Sequence, residues 1–522
     1  MDNDEINSGN MKEEKLVEKD NLRESDVELE RISEQTLEKI KKIKEGDSKK
    51  VSSLQTIFSV WNTMIGSSIV SIPYNVYCAG IIPTVIIGLV YGFICYFTCS
   101  IVVKLGGKED EFANIVYNYF NYAFGKRYAK IGKIFQITFN LLINVGATFI
   151  YFLIINQNLY PCICLFLKIF NFDLDEEDLT PSFSKFSLLY CALLVAVLVF
   201  PLTILKEMTG LVKFNSYGIY FVSVLLIFVI INGFRTIIRD NFHFEYIENI
   251  KDDKDRNLFL YGDNPGILCG TLSLGLFCHS VILPLLKNNR NPDNNQRDLF
   301  FGYVCVTLTY IIIGIMGYIG FSGHQFESDF KDNWFRFYKS DDYFILLLRI
   351  LNVVQLVSIF PILFFVVRTQ LFSTFFEKYL KSLFHIIIFS IILLFLCIIV
   401  LYLCYDILGK LIGIIGASTA LVLIYSIAPI TNMIYYYKRH QSKEEVIRRI
   451  EQNISDADNQ DEQDKIKKFW PETMPEPVSL KPVKAFFFYL SMMMIILVGI
   501  ITFVLQFVHV NIFDIHIEKN DS

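Results

Sequence analysis

The constraint that dominates this sequence is a set of apolar runs, each about twenty residues or longer, in which no face is polar. A helix of that length spans the ~30 Å hydrocarbon core of a bilayer. One that is apolar all round presents no face to water. About eleven such runs can be drawn, over residues 53–77, 81–103, 134–160, 186–206, 213–234, 264–286, 299–321, 343–371, 383–405, 409–437 and 484–509. Backbone groups in hydrocarbon must bond within their own segment, so the runs are expected to be helices. The fold class is an all-α polytopic membrane protein with about eleven transmembrane helices. The expected layout is a charged tail over 1–50, a ten-helix core over 53–437, a charged linker over 438–482, an eleventh helix over 483–510 and a tail over 511–522.

The segments outside the runs set the orientation. Residues 1–50 are rich in Glu, Lys, Asp and Asn and hold no aromatic residue, so they cannot bury enough apolar area to fold alone. A weak helical period passes through Val27, Leu29, Ile32, Leu37, Ile40 and Ile43. The first apolar run begins after this charged stretch and is read as a genuine span, not a cleaved signal. Lys104, Lys108, Lys126, Arg127, Lys130, Lys133, Lys206, Lys213, Lys287, Arg290, Arg297, Arg368, Lys378, Lys381, Lys438 and Arg439 all fall in loops on one side. The opposite loops hold the acidic runs DLDEED at 173–178 and ESDFKD at 327–332. That bias places the N-terminus in the cytosol and, with eleven spans, Ser522 on the far side. The sequon Asn453–Ile454–Ser455 then lies in the cytosolic linker and is expected to carry no glycan. Residues 108–130 are amphipathic through Phe112, Ile115, Val116, Tyr119, Phe120 and Ala123, the pattern of a helix lying along a membrane surface.

The chemistry concentrates in two spans. The first reads WNTMIGSSIVSIPYN from Trp61 to Asn75. Gly66, Ser67 and Ser68 weaken its helix in mid-span, and Pro73 removes a later backbone donor. Freed backbone groups in hydrocarbon cost several kcal/mol each unless they line a cavity or meet a ligand. An unwound segment would offer N–H groups to a substrate carboxylate and carbonyls to a cation; the alternative is a small-residue packing face. The sixth span reads GILCGTLSLGLFCHSVILPLL from Gly266 to Leu286 and is punctuated by Gly270, Gly275 and Pro284, with His279 inside it. His279 is read either as a proton carrier or helix cap, or as a neutral ring satisfied by a carbonyl. Breaks in the first and sixth spans point to an inverted repeat of five plus five helices, with the eleventh appended. Ser358 and Pro361 lie in the eighth span, which would then face the first.

Several classes lose support. No Asp or Glu lies deep in an apolar run; besides His279, Arg349 and His385 sit within spans near their ends. Carboxylate proton relays and voltage sensing are therefore disfavoured. There is no Walker A loop, G-x-S-x-G elbow, H-E-x-x-H or kinase set, so an enzyme or ATP-driven pump is not expected. No ring of charge or filter sequence supports a channel. The net charge of -5 gives no reason to expect nucleic acid. The eleven Cys lack zinc-site spacing. Cys162 and Cys164, at a span end, are read as buried thiols or as disulfide partners.

Three stretches carry a resemblance: WNTMIGSSIVSIP at 61–73, FCHSVILPLLKNNRNPDNNQRDL at 277–299 and VRTQL at 367–371. On these the chain, over about residues 53–510, resembles the amino acid/auxin permease family and, within it, the sodium-coupled neutral amino acid transporters, most of all a lysosomal member. The resemblance implies an eleven-span transporter for neutral or cationic amino acids in a lysosomal or vacuolar membrane, with Na+ as an expected coupling ion and no other cofactor. It implies a substrate site at Asn62, Thr63, Met64, Gly66, Ser67 and Ser68, to which the sixth-span break adds Gly275 and His279. It implies a sodium site pairing the first and eighth spans, here Ile65 and Ser358. It also implies an alternative role, an amino acid sensor with a cytosolic signalling partner at the N-terminal tail; this tail lacks the aromatic residues of a matching recognition segment.

Overall fold

Polar backbone cannot be left bare in hydrocarbon, and helix is the chain's main answer to that demand. The computed structural model describes residues 50–66, 68–106, 111–170, 181–183, 187–239, 243–245, 257–262, 264–321, 334–337, 343–375, 382–404, 416–439, 441, 443–457, 460–470 and 482–508. Ser67, the tails and both acidic loops expected on the far side fall outside them. Residues Ser52–Ser522 form one unit; of the other, Met1–Val51, only the last two residues are described.

The first expected span is two helices, α1 (Ser53–Met64) and α2 (Ser68–Ala79), followed by α3 (Ile81–Gly106). The amphipathic segment is α4 (Phe112–Phe124), and α5 (Lys126–Ile169) begins after Gly125, whose φ of 82° ends one helix and turns into the next. Then come α6 (Leu188–Thr203) and α7 (Met208–Arg239). A parallel strand pair, β1 (His243–Glu245) with β2 (Asn257–Phe259), precedes the sixth span. That span is again two helices, α8 (Pro265–Gly275) and α9 (Ile282–Leu286). After it run α10 (Asn295–Phe321), α11 (Tyr343–Phe375), α12 (Leu383–Cys404) and α13 (Gly416–Lys438), the last with a π turn at Leu423–Ile427. The linker holds α14 (Lys443–Ser455) and α15 (Gln460–Phe469), and the chain's last described helix is α16 (Pro482–Val508).

Among the described residues, eight helices are long and apolar enough to cross a membrane. The two broken pairs and the 16-residue α6 account for the other three expected spans. The architecture is the inverted repeat: α1/α2, α3, α5, α6 and α7 correspond to α8/α9, α10, α11, α12 and α13. Helices of the two halves pack on each other, α2 on α8, α3 on α10 and α5 on α11. Helix α16 packs on α8 and α13, and the Tyr91 hydroxyl of α3 bonds Thr502 on it.

The breaks fall where small residues cluster, and the prolines do less than expected. Pro73 lies inside α2 and Pro361 inside α11, both of which continue through it. Pro284 sits in the first turn of α9, where its missing N–H is an orphan in any case. Gly270 is in mid-α8; that helix stops only at Gly275.

Outside the bundle, α4 packs against α5, α13 and α14. Trp470, just after α15, meets Tyr119 and Tyr122 of α4 at ring distances of 5.3 and 5.9 Å, and Lys438 Nζ lies 3.5 Å from its ring centre. The linker is thus folded against the amphipathic helix rather than trailing from α13; Asn453 lies in α14. Cys162 and Cys164 are thiols, with Cys162 Sγ donating to the Asn158 carbonyl at 3.4 Å.

Arg368 corrects the sequence reading. The loop expected there is helix instead: α11 runs on to Phe375 and Arg368 is 3% exposed. Its guanidinium donates to the carbonyls of Thr203 at 3.2 Å and Leu205 at 2.8 Å, satisfying the end of α6. Replacing Arg368 with Leu should leave the Leu205 carbonyl bare and the Thr203 carbonyl with only Ser390 Oγ at 3.5 Å, at a cost of about 2–4 kcal/mol. The detergent-purified variant is expected to melt several degrees below the parent, and an unchanged melting curve would show the carbonyls to be satisfied otherwise.

Candidate functional site

The break in the first span begins where Ile65 leaves the helical region, at φ -79° and ψ 85°. The Gly66 N–H turns back to the Met64 carbonyl at 3.0 Å, and the chain re-enters helix at Ser68. In the sixth span, residues 276–281 separate α8 from α9. The N–H groups of Leu276 and Phe277 still close on α8, at 2.9 and 3.1 Å. Those of Cys278, His279 and Ser280 make no hydrogen bond among the described residues.

Both breaks open on one cavity. Its walls include Thr63, Met64, Gly66 and Ser68 from the first span, and Leu274, Gly275, Phe277, Ser280 and Val281 from the sixth. Helix α5 adds Ile143, Asn144, Ala147, Ile150 and Tyr151, and α11 adds Leu363. Among the described residues, no lining side chain is charged. The space open to water centres is about 50 Å3, enough for a few water molecules. Tyr151 narrows it: a Cβ added at Gly66 would collide with the Tyr151 hydroxyl and ring. Glycine at 66 therefore serves close approach as well as a weak helix. Across the cavity, Ser280 Oγ donates to Asn144 Oδ1 at 3.1 Å.

One hydroxyl joins the two breaks. Tyr310 of α10 donates to the Met64 carbonyl at 2.6 Å and lies 3.5 Å from the Gly275 carbonyl. A Cβ on Gly275 would stand 2.8 Å from that hydroxyl and 3.0 Å from Ser68 Oγ, so the glycine lets the two spans meet.

Asn62 faces away from the cavity, into a buried amide network. Its Nδ2 donates to Asn215 Oδ1 at 2.7 Å and to Ser358 Oγ at 2.9 Å. Gln355 Nε2 reaches Asn62 Oδ1 at 3.1 Å and the Ile65 carbonyl at 2.5 Å. Asn215 in turn donates to the Ser59 carbonyl and to Thr63 Oγ1, at 3.0 and 2.7 Å. Gly218 of α7 makes room: a Cβ there would strike Asn62 and Ser358. The residues expected at a sodium site, Ile65 and Ser358, are therefore brought together, but both are already engaged by side-chain amides. A cation between them would have to displace a donor, so the residues as arranged do not fit a bound sodium.

His279 also faces away from the cavity. Its Nε2 lies 3.0 Å from Thr98 Oγ1 on α3, its ring stacks on Phe277, and it is 1% exposed. Of the expected site residues, Thr63, Met64, Gly66, Ser68 and Gly275 thus line the cavity, Asn62 and His279 do not, and Ser67 is outside the described residues. Tyr151, Tyr310, Asn215 and Gln355 were not read from the sequence. Only their polarity within apolar runs marked them, a signal that many buried residues of this chain share.

The stretches that carried the resemblance hold the fold around the site. In VRTQL, Arg368 caps α6 and Gln370 accepts from Asn140 Nδ2 of α5 at 3.0 Å. In the polar loop after α9, Asn289 Nδ2 bridges Asn295 Oδ1 and Asp298 Oδ2, each at 2.9 Å, and Thr209 Oγ1 of α7 donates to Asn288 Oδ1 at 2.6 Å.

Comparison with known proteins places the chain. The profile of the family described as "Transmembrane amino acid transporter protein" matches residues 49–453. The chain belongs to that family. It is 26% identical to the rat (Rattus norvegicus) neutral amino acid transporter 9 over 78% of this chain and 77% of the relative. It is 25% identical to a Caenorhabditis elegans protein named sodium-coupled neutral amino acid transporter 9 homolog, over 73% of this chain and 68% of that one. Among solved structures, Mhp1, a nucleobase-cation-symport-1 family transporter in a closed conformation with bromovinylhydantoin bound, aligns with a TM-score of 0.50. That match covers 88% of this chain and 92% of the other at 9% identity, and it speaks for the fold alone.

Tyr310→Phe removes one donor from a buried carbonyl at the meeting of the breaks, an effect of about 1–2 kcal/mol. Amino acid uptake by reconstituted Tyr310→Phe should fall about tenfold at low substrate concentration. Uptake equal to the parent's would show that the hydroxyl does not hold the breaks in their working arrangement.

Proposed function

We propose that this chain is a secondary transporter that carries amino acids by alternating access around the cavity between its two broken spans. The observation that carries this reading is the convergence of the breaks: Met64, Gly66 and Ser68 from one, and Gly275, Phe277 and Ser280 from the other, line the same space. The names of the relatives and the family support amino acids as the cargo.

Amino acid carboxylate and ammonium groups are small and oppositely charged. The N–H groups of Cys278, His279 and Ser280 suit the carboxylate, and carbonyls freed at the breaks suit the ammonium. Thr63, Ser68, Ser280 and Asn144 supply neutral polar groups beside an otherwise apolar wall. With no carboxylate in that wall, the lining favours neutral over cationic side chains, since a buried cation needs a counter-charge. Tyr151 stands against Gly66 and would have to move for a substrate larger than a few waters to settle there. The helices beyond the breaks can then tilt, each break serving as a hinge. The membrane is proposed to be lysosomal or vacuolar on the strength of the family resemblance, and the N-terminus cytosolic on the lysine and arginine bias of the loops.

The test is uptake of labelled amino acids by purified protein in liposomes, with a competition panel of the twenty. Saturable flux of neutral amino acids is expected. Gly66→Leu, which drives a side chain into Tyr151, should abolish substrate binding and uptake while expression and topology persist. Binding without flux for any amino acid would favour a sensor, and unchanged uptake by Gly66→Leu would remove the broken first span from the site.

A further inference from the structure

We infer that the side-chain amide of Gln355 takes the place of a coupling cation where the first span meets the eighth, so that this junction closes without sodium. The inference rests on the transporter reading above for its functional meaning, but on geometry alone for its chemistry.

The orientation of every amide at the junction is fixed by the chain itself. One end of the network is the Ser59 carbonyl, which can only accept. The Asn215 atom 3.0 Å from it must therefore be the nitrogen, and that nitrogen also reaches Ser59 Oγ and Thr63 Oγ1 at 2.8 and 2.7 Å. Asn215 then turns its oxygen to Asn62, so Asn62 presents nitrogen to Asn215 and Ser358. Asn62 is left with its oxygen toward Gln355, 3.1 Å from Nε2. The other end is the Ile65 carbonyl, 2.5 Å from that same nitrogen, which again demands a donor. Two backbone acceptors, approached from opposite ends, give one consistent assignment: Gln355 must show N–H to the break.

A group placed between the Ile65 carbonyl and Asn62 Oδ1 has to be positive toward both. In a cation site that group is an ion. Here it is the polarised NH2 of a neutral side chain, anchored on α11 and 0% exposed. Ser358 does not offer an open ligand either, since its hydroxyl accepts from Asn62 and donates to the Gln355 carbonyl at 2.6 Å. The arrangement leaves one mark: Gln355 Oε1 is buried with no hydrogen-bond partner. Reversing the amide would set three oxygens face to face, an arrangement that only a cation stabilises. The chain tolerates the orphaned acceptor and keeps the donor at the break.

The experiment compares melting of the purified full-length protein in sodium chloride and in choline chloride at equal ionic strength. The parent is expected to melt at the same temperature in both. Gln355→Ala clears the nitrogen away and leaves the Ile65 carbonyl and Asn62 Oδ1 facing a space, so it should gain a sodium-specific upward shift. Gln355→Glu, which keeps the shape and supplies a carboxylate, should gain the same shift and serves if the alanine variant does not fold. In liposomes, the ratio of uptake in sodium to uptake in choline should stay near unity for the parent. A sodium-specific stabilisation of the parent that is lost in Gln355→Ala would overturn the inference. Absence of any flux would count against the transport reading and leave the melting result to decide on Gln355.

Discussion

Two interruptions in membrane-spanning helices govern the arrangement of everything near the middle of this protein. Each interruption frees carbonyl and N–H groups where water is scarce, and each such group must find a partner or lie at a cavity. Tyr310 serves the Met64 carbonyl, Gln355 serves that of Ile65, and Tyr303 serves that of Leu276 at 3.1 Å. These donors come from α10 and α11, helices that continue unbroken past the site. The rigid helices thus bear the polar side chains that the broken ones need, while the N–H groups of residues 278–280, of which Ser280 lines the cavity, make no hydrogen bond among the described residues.

The same demand explains the number of buried amides. Asn62, Asn215 and Gln355 are each 0% exposed, yet none is charged. An amide carries donors and an acceptor, so a row of them can connect two carbonyls without leaving a net charge in hydrocarbon. A carboxylate at the same place would need a permanent counter-ion. The absence of Asp and Glu deep in the spans, plain in the sequence, has its structural counterpart here: polarity is supplied by dipoles.

Span positions and the two breaks were legible because they depend on composition over many residues. Eleven expected spans map onto eight long helices, two broken pairs and the short α6. WNTMIGSS showed where α1 must end, because Gly and Ser side chains give a helix little support there. The partners of the break were not legible, since Asn215, Tyr310 and Gln355 are remote in sequence from Ile65 and meet it only through packing. Arg368 was misplaced because a charge at the edge of an apolar run reads as a loop, whereas carbonyls from α6 receive it inside the bundle. His279, although correctly located in the sixth-span break, turns to Thr98 rather than to the cavity, a side-chain direction that no sequence pattern specifies.

The shared hydroxyl of Tyr310 has a mechanical consequence. Because it holds Met64 of the first span and approaches Gly275 of the sixth, the two hinges hang from a single pin on α10. Swinging one half-helix far enough to break its bond releases the pin for the other. The two breaks are thereby coupled through one side chain, and a change at Tyr310 reaches both at once.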